Sequence, residues 1–210
     1  MVLAYHLIFT AYGFWLPNDP RGSWSDFVRS WELFWYGSAS KVTTRASLAK
    51  RDHDRDLRRV QKSALRLDPV RFTTAQMSAI ARGFARAVAE SGYVVFACSI
   101  MPDHVHLVVQ RHANLAEQII GHFKARATQQ LIEEGIHPFQ DHGQPNGTVP
   151  CAWARRGWRV YLDCVEDILR ASEYVASNPV RLGMPRQSHP FVTNYAARFD
   201  AIDPAALSVE

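Results

Sequence analysis

The amino-acid sequence predicts an α+β domain whose strands and helices follow the order β-α-β-β-α-β, with one further helix near the C-terminal end. Residues 93–111, YVVFACSIMPDHVHLVVQR, form two runs rich in Val, Ile and aromatic residues around a Pro-Asp pair, which is typical of a β-hairpin. Amphipathic helical patterns lie on both sides of this hairpin. The chain has 210 residues, 47% of them hydrophobic, which is enough for one domain with a sizeable core.

The first part of the chain supplies one strand and one core helix. Val2–Ala11 alternates in the way expected of a half-buried strand. Its apolar face consists of Tyr5, Leu7, Phe9 and Ala11. Thr74–Ser91 is predicted as the first core helix, with Thr73 or Thr74 as its cap and Gly92 at its end.

The hairpin and the helix after it form the middle of the domain. The two strands are predicted over Tyr93–Ile100 and His104–Gln110. A second helix is expected after Asn114, whose side chain would cap it with Glu117 as the capping-box partner. Gly135 would end this helix.

The last strand and the final helix complete the predicted order. The strand is expected over Gly157–Leu162 and the helix over Asp163–Asn178, closed by Pro179. The first six elements then correspond to the split β-α-β arrangement known as ferredoxin-like, with an antiparallel sheet. The final helix is an addition to it.

We expect one domain over residues 1–183, a basic insertion over about residues 37–72, and an irregular Pro-rich tail over residues 184–210. Lys41–Arg71 is the most basic part of the sequence. Such a run of charges is usually a solvated face. Because basic residues outnumber acidic ones here, contact with phosphate groups is a second interpretation.

The net charge and the cysteine content indicate which partners and which cellular compartment to expect. The net charge of +4 and the pI of about 9.1 indicate an anionic partner. Three scattered cysteines without a C-x-x-C pair favour a reducing compartment over a disulfide framework. The N-terminal residues resemble neither a signal peptide nor a membrane span. We therefore expect a cytoplasmic, nucleoid-associated protein without membrane contact.

His104 and His106 are candidate metal ligands. Residues two apart in a strand point to the same face, so both imidazoles would emerge together beside the Pro-Asp turn. Neutral imidazole binds divalent metals well. The alternative is that both are ordinary surface or hydrogen-bonded histidines.

Tyr174 is a candidate for chemistry or contact because of its place on the final helix. Helical spacing predicts a core face made of Val165, Ile168, Leu169, Ser172, Val175 and Ala176. Tyr174 would then lie opposite that face, with Asn178 one turn later on the same side. An ordinary surface tyrosine is the alternative.

Three segments resemble a known family. MPDHVHLVV resembles the His-hydrophobic-His motif of the HUH single-strand transposases, which include the IS200-like enzymes. EYVASNPVRLG resembles the tyrosine helix of their REP-associated subgroup, the REP-associated tyrosine transposases. YHLIFTAYGFWLPNDPRGSW resembles the beginning of many such proteins. The three segments cover the start, middle and end of the chain, apart from the basic insertion and the tail.

The resemblance implies an endonuclease and strand-transferase that cleaves and rejoins single-stranded DNA bearing a hairpin or palindromic repeat. His104 and His106 match the metal-binding pair, and Asn178 matches a polar residue that helps complete the metal site. Tyr174 matches the nucleophile, and Tyr161 is the competing tyrosine. The implied cofactor is Mg²⁺ or Mn²⁺, and the implied intermediate is a 5′-phosphotyrosine ester.

Basic and aromatic residues would hold the DNA strand by charge and by stacking. The candidates are Trp15 and Arg21 in the loop of residues 12–24, Lys124 and Arg126 on the second helix, and Arg181. The protein would act as a monomer or a homodimer. Two other functions stay open: a catalytically inactive, domesticated nucleic-acid-binding protein, and an unrelated metal hydrolase that uses His104, His106 and an acid such as Asp103.

Overall fold

The computed structural model describes residues 1–43, 48 and 51–195, and within them the predicted β-α-β-β-α-β order is present. The strands are β1 (Ala4–Ala11), β2 (Val95–Ile100), β3 (His104–Gln110) and β4 (Trp153–Leu162). The helices are α1 (Trp31–Phe34), α2 (Arg55–Ser63), α3 (Thr74–Ser91), α4 (Ala116–Glu133) and α5 (Val165–Arg181). No helix of the described ranges is long and apolar enough to cross a membrane.

The four strands form one antiparallel sheet in the order β2-β3-β1-β4. The chain passes through α3 between β1 and β2, and through α4 between β3 and β4. Each of these connections skips one strand position: β3 lies between β1 and β2, and β1 lies between β3 and β4. The fold is therefore ferredoxin-like, as the sequence predicts.

Helices cover both faces of this sheet. On one face, α3 and α4 pack over a core that includes Phe9, Phe84 and Phe123. The predicted apolar face of β1 points into this core: Tyr5, Leu7, Phe9 and Ala11 are all buried in it. On the other face, α5 packs against β2 and β3 over a smaller core that contains Ile168 and Val175. Because successive side chains along a strand point to opposite faces of the sheet, the strand residues that do not face α3 and α4 face α5.

The ends of the two core helices follow their sequence signals to different degrees. Thr73 caps α3 in a full capping box, and Gly92 ends it at a positive φ of 65°, as predicted. The predicted cap of α4 is wrong. Leu115 holds the cap position, where its backbone N–H donates to the side chain of Gln118 at 2.7 Å. The side chain of Asn114 instead donates to the hydroxyl of Tyr93, a tertiary contact that outweighs the local cap.

Two predicted boundaries near the C-terminal end are also wrong. Strand β4 begins at Trp153, four residues earlier than expected, because residues before Gly157 pair with β1 across a bulge. Helix α5 continues through Pro179 to Arg181. A proline in the last turn removes only one backbone donor, and its carbonyl still accepts from the N–H groups of Leu182 and Met184.

The basic insertion is tied to the loop of residues 12–24. Asp19 is fully buried and forms ion pairs with Arg21 and with Arg58 of α2. Gln61 of α2 donates to the carbonyl of Asn18 at 3.0 Å. At the other end of the chain, residues 187–195 line the free edge of β2, where the Thr193 N–H donates to the carbonyl of Val95.

Helices α3 and α4 approach most closely at Gly83, and this contact predicts a stability effect. A Cβ atom at Gly83 would lie 2.6 Å from the Arg126 carbonyl oxygen and 2.7 Å from the Ala127 Cα. Backbone cannot move aside as a flexible side chain can. We expect Gly83→Ala to lower the free energy of unfolding by about 2 kcal/mol, measured by chemical denaturation.

Gly121→Ala on α4 is the matched control, because a Cβ atom there meets open space. Removing a helical glycine should stabilise the protein by about 0.5–1 kcal/mol. Equal stabilisation by both substitutions would contradict the close approach of the two helices at Gly83.

Candidate metal and tyrosine site

The two candidate ligands, His104 and His106, share one face of β3, as their spacing predicts. The register places His106 opposite Ile8 and His104 opposite Thr10 on β1, on the face covered by α5. Their ring centroids are 5.0 Å apart. His106 is buried and His104 is half-buried at the end of the strand, beside the Pro102-Asp103 turn.

A third histidine, His6 of β1, joins this pair. Its Nε2 lies 2.9 Å from Nδ1 of His106, and its ring centroid lies 5.2 Å from that of His106. Burial lowers the pKa of His6 to about 4, so the ring is neutral at neutral pH. His6 was not among the site residues predicted from the sequence. His6 lies between the core residues Tyr5 and Leu7, so the alternation along a strand predicts that its side chain points to the other face of the sheet. Only the register of β1 with β3 shows that it meets His106 there.

Asp103 contacts the imidazole of His104. Its Oδ1 lies 2.6 Å from Nδ1 of His104, and its Oδ2 lies 3.3 Å from the Arg71 guanidinium. Burial alone would raise the pKa of Asp103, but the hydrogen bond with His104 and the charge of Arg71 outweigh it and hold that pKa below its usual range. Both carboxylate oxygens are engaged, so Asp103 orients a histidine.

This arrangement leaves the Nε2 atoms of His104 and His106 for a ligand. In each ring Nδ1 is already bonded to a neighbour, as is common for metal-binding histidines. Burial lowers the pKa of His106 well below its ordinary value. The ring is neutral, the form that coordinates a metal.

Tyr174 lies against the histidines. Its ring centroid is 5.7 Å from that of His106 and 6.1 Å from that of His6. The side chain is 39% exposed. The guanidinium of Arg181, two turns along α5, lies 5.3 Å from the Tyr174 ring centroid. The hydroxyl is thus carried on a ring that contacts both the sheet and solvent.

The predicted orientation of α5 is wrong in a way that matters for this tyrosine. Leu169 is 43% exposed, and the helix packs through Ile168, Ala171, Val175 and Asn178. Tyr174 lies only about 60° around the helix from Ala171 and about 40° from Asn178. It borders the packed face instead of opposing it. Hydropathy could not show this, because a buried asparagine helps define that face.

Asn178 is 8% exposed and lies one turn after Tyr174 on α5. The family resemblance implies that its side chain supplies an oxygen ligand to the metal site. Within the described part of the chain, no group of three His, Cys, Asp or Glu side chains could hold a metal ion. A three-residue site here would therefore consist of two imidazoles and one amide, a donor set suited to a divalent ion that keeps open positions.

Tyr161, the competing tyrosine, lies on the opposite face of the sheet. It pairs in register with Tyr5, and the two rings are in contact on the side covered by α3 and α4. Its hydroxyl accepts a hydrogen bond from the Arg159 guanidinium at 2.8 Å. The sheet separates it from His106.

The predicted DNA-binding residues do not form one surface. Arg21 is buried, and its guanidinium is paired with Asp19 and stacked 3.7 Å from the Trp15 ring centroid. Lys124 donates to the carbonyls of Ala154 and Arg156, and burial lowers its pKa to about 8.

Arg126 is paired with Glu90 on the layer of α3 and α4, away from the histidines. The placement of Arg21, Lys124 and Arg126 thus gives their charges protein partners, and it does not favour direct contact with DNA. Arg181, in contrast, lies at Tyr174.

Aromatic rings border the histidines on one side. Phe14 stacks on His104 with ring centroids 5.4 Å apart and an interplanar angle of 19°. Trp15 lies beside Phe14 and parallel to Trp24, which in turn stacks on Trp158 of β4 at 3.9 Å. Trp158 pairs with Ile8 and so lies on the histidine face. Trp158 was not among the predicted DNA-binding residues, because only the strand pairing brings it to this site.

Comparisons with known proteins give structural likeness alone. No protein-family model and no curated protein matches the chain. Among solved structures, a REP-associated tyrosine transposase bound to a REP hairpin is similar with 12% identity and a TM-score of 0.46, over 100% of this chain and 88% of the other. A Deinococcus radiodurans R1 protein assigned to the transposases is similar with 12% identity and a TM-score of 0.37, over 83% and 89%. At this identity a structural likeness concerns the fold and not the chemistry.

Proposed function

We propose that this protein is a metal-dependent endonuclease and strand-transferase of the transposase type, which acts on single-stranded DNA through Tyr174. The observation that carries the proposal is the contact of the Tyr174 ring with His106 and His6, on the sheet face that also holds His104. The segments around these residues are also those that resemble the HUH single-strand transposases. Geometry and resemblance thus support the same residues.

His104, His106 and Asn178 are the residues that would hold the metal, which we propose to be Mg²⁺ or Mn²⁺. Both imidazoles have Nδ1 engaged and Nε2 available, which fits them for this role. A bound divalent ion would polarise the scissile phosphate and offset the charge that develops on it.

Tyr174 supplies the nucleophile in this proposal. Its oxygen forms a bond to phosphorus while the bond between phosphorus and the 3′-oxygen breaks. The phenol proton ends on the leaving oxygen, which becomes a free 3′-hydroxyl. The other strand end stays on the protein as a 5′-phosphotyrosine ester. Because the ester preserves the phosphodiester bond energy, a second 3′-hydroxyl can reverse the step without ATP.

The residues around Tyr174 would position the strand. Arg181 lies over the Tyr174 ring, where its charge would meet a backbone phosphate. Trp24 and Trp158 stack on each other and are half-buried, and the parts of their rings that stay exposed would contact unpaired bases. From the sequence resemblance, we propose that the protein recognises a hairpin or a palindromic repeat in the DNA.

Covalent adduct formation tests the proposed function. The protein is incubated with Mn²⁺ and a pool of hairpin-bearing single strands with randomised flanks, and the products are separated under denaturing conditions. Strands labelled at the 3′ end should move with the protein, and strands labelled at the 5′ end should give free, shortened fragments. Binding without any adduct would favour an inactive nucleic-acid-binding protein. Cleavage without an adduct would favour a metal hydrolase.

The hydrogen bond between His6 and His106 predicts that a substitution at His6 lowers the metal affinity. Removing the hydrogen-bond partner of a ligating histidine typically costs about 10–100-fold in affinity. We expect His6→Ala to weaken Mn²⁺ binding by about that factor, measured by calorimetric titration, because Nδ1 of His106 would lose its partner at 2.9 Å.

His6→Gln, whose amide can still reach His106, should recover part of that affinity. His142→Ala is the matched control, since His142 is exposed on the loop before β4. Unchanged Mn²⁺ affinity in a folded His6→Ala protein would show that His6 does not orient the ligand.

A further inference from the structure

The basic insertion forms a cleft beside the histidine site. The cleft has a volume of about 580 Å³ and is lined by Arg55, Arg58, Arg59 and Lys62 of α2, with Asp68 as an acidic neighbour. Arg58 is paired with Asp19 and Arg59 with Asp56. In the part of the chain that the structure describes, Arg55 and Lys62 have no carboxylate within ion-pair distance. The cleft therefore carries uncompensated positive charge.

Lys62 connects this cleft to the candidate metal ligands. Its Nζ lies 5.7 Å from the ring centroid of Phe14, which stacks on His104. The basic cleft and the histidines are thus separated by one aromatic ring.

A second depression lies between the segment of residues 68–72 and the end of the tyrosine helix. It has a volume of about 420 Å³, and its lining includes Arg71, Asp103 and Leu182, the residue that follows α5. The segment of residues 68–72 borders both cavities. Its backbone is fixed by hydrogen bonds from Val70 to Tyr12 and from Phe72 to Pro102. The two depressions are therefore held in a defined order around the histidine site.

We propose that the α2 cleft binds the phosphodiester backbone of single-stranded DNA and leads the strand, past Arg71, to the site of Tyr174. This inference rests on the proposed function and deepens it by giving the basic insertion a role. Arginine and lysine side chains that lack protein partners are the groups that contact phosphates, and such contacts are independent of base sequence. The aromatic rings next to the cleft would receive the bases.

The experiment measures binding without chemistry. Tyr174→Phe protein in EDTA is titrated against a fluorescein-labelled, hairpin-bearing single strand over a range of NaCl concentrations, with anisotropy as the readout. Arg55→Gln/Lys62→Gln should weaken binding roughly tenfold and reduce the slope of log K against log salt by about 1.4, since each phosphate contact on a single strand contributes about 0.7.

Arg82→Gln/Arg86→Gln is the matched control, because it removes the same number of charges from α3, which covers the opposite face of the sheet. Its affinity and salt slope should stay close to those of the parent protein. Equal losses in both double variants, or no loss in the cleft variant, would overturn the proposal. Circular dichroism confirms that both variants are folded.

Adduct assays with the natural tyrosine separate this inference from the proposed function. The cleft variant should need more DNA for half-maximal adduct formation but reach the parental yield at saturation. A lower yield at saturating DNA would overturn a role in backbone binding alone. If no variant forms an adduct, the enzyme proposal fails, while the binding measurement still decides the role of the cleft.

Discussion

Tyr174→Phe should abolish the covalent protein–DNA adduct, with a loss of at least about 10³-fold in the rate of its formation. The substitution removes one oxygen and keeps the ring that contacts His6, His106 and Arg181. The packing of α5 and the metal site should therefore be unaffected. Adduct formation is followed with the 3′-labelled strand, and binding is followed in parallel by anisotropy with an unchanged Kd expected.

Tyr161→Phe is the control for this experiment, since Tyr161 lies on the other face of the sheet and hydrogen-bonds to Arg159. Its adduct yield should equal that of the parent protein. An adduct that persists in Tyr174→Phe but disappears in Tyr161→Phe would refute the assignment of the nucleophile. It would also require the DNA to approach the sheet from the side of α3 and α4.

His104→Ala should weaken Mn²⁺ binding by at least about 100-fold, because it removes a direct ligand where the loss of an outer partner already costs about 10–100-fold. His104 is half-buried at the end of β3, so its truncation should leave the sheet intact. Calorimetric titration gives the metal affinity without reference to activity. The adduct yield should fall with it and recover partly at high Mn²⁺ concentration.

Asp103→Asn is the milder companion of this variant. It keeps a hydrogen-bond acceptor beside Nδ1 of His104 but removes the negative charge that Arg71 faces. We expect a reduction of about 10-fold in Mn²⁺ affinity. Full Mn²⁺ affinity in folded His104→Ala would place the metal elsewhere, and the Tyr174 proposal would then lose its cofactor site.

The sequence was sufficient to predict those features that depend only on residues close together along the chain. The period-two pattern of β1 identified Tyr5, Leu7 and Phe9 as core residues, and Thr73 and Gly92 marked the ends of α3. The spacing of His104 and His106 placed both rings on one face of β3. These features depend on backbone geometry within a few residues, which composition and spacing encode directly.

Features that depend on distant contacts were not accessible in the same way. Asn114 could cap α4, yet its amide is used by Tyr93. Arg21 was expected at the DNA surface, yet it is buried against Asp19, because a buried carboxylate needs a charged partner. A sequence shows that such groups exist, but it does not show which partner each of them meets.

The sequence by itself determined the ferredoxin-like order of elements, the histidine pair on one strand face and the tyrosine on a final helix. Only the tertiary structure decided that His6 lies within hydrogen-bond distance of His106, that Tyr174 borders the packed face of α5 and that Tyr161 lies on the face of the sheet opposite the histidines. The physical reason is that strand register and helix rotation are set by packing across the whole sheet. Residues about 100 positions apart along the chain come within hydrogen-bond distance only through that packing.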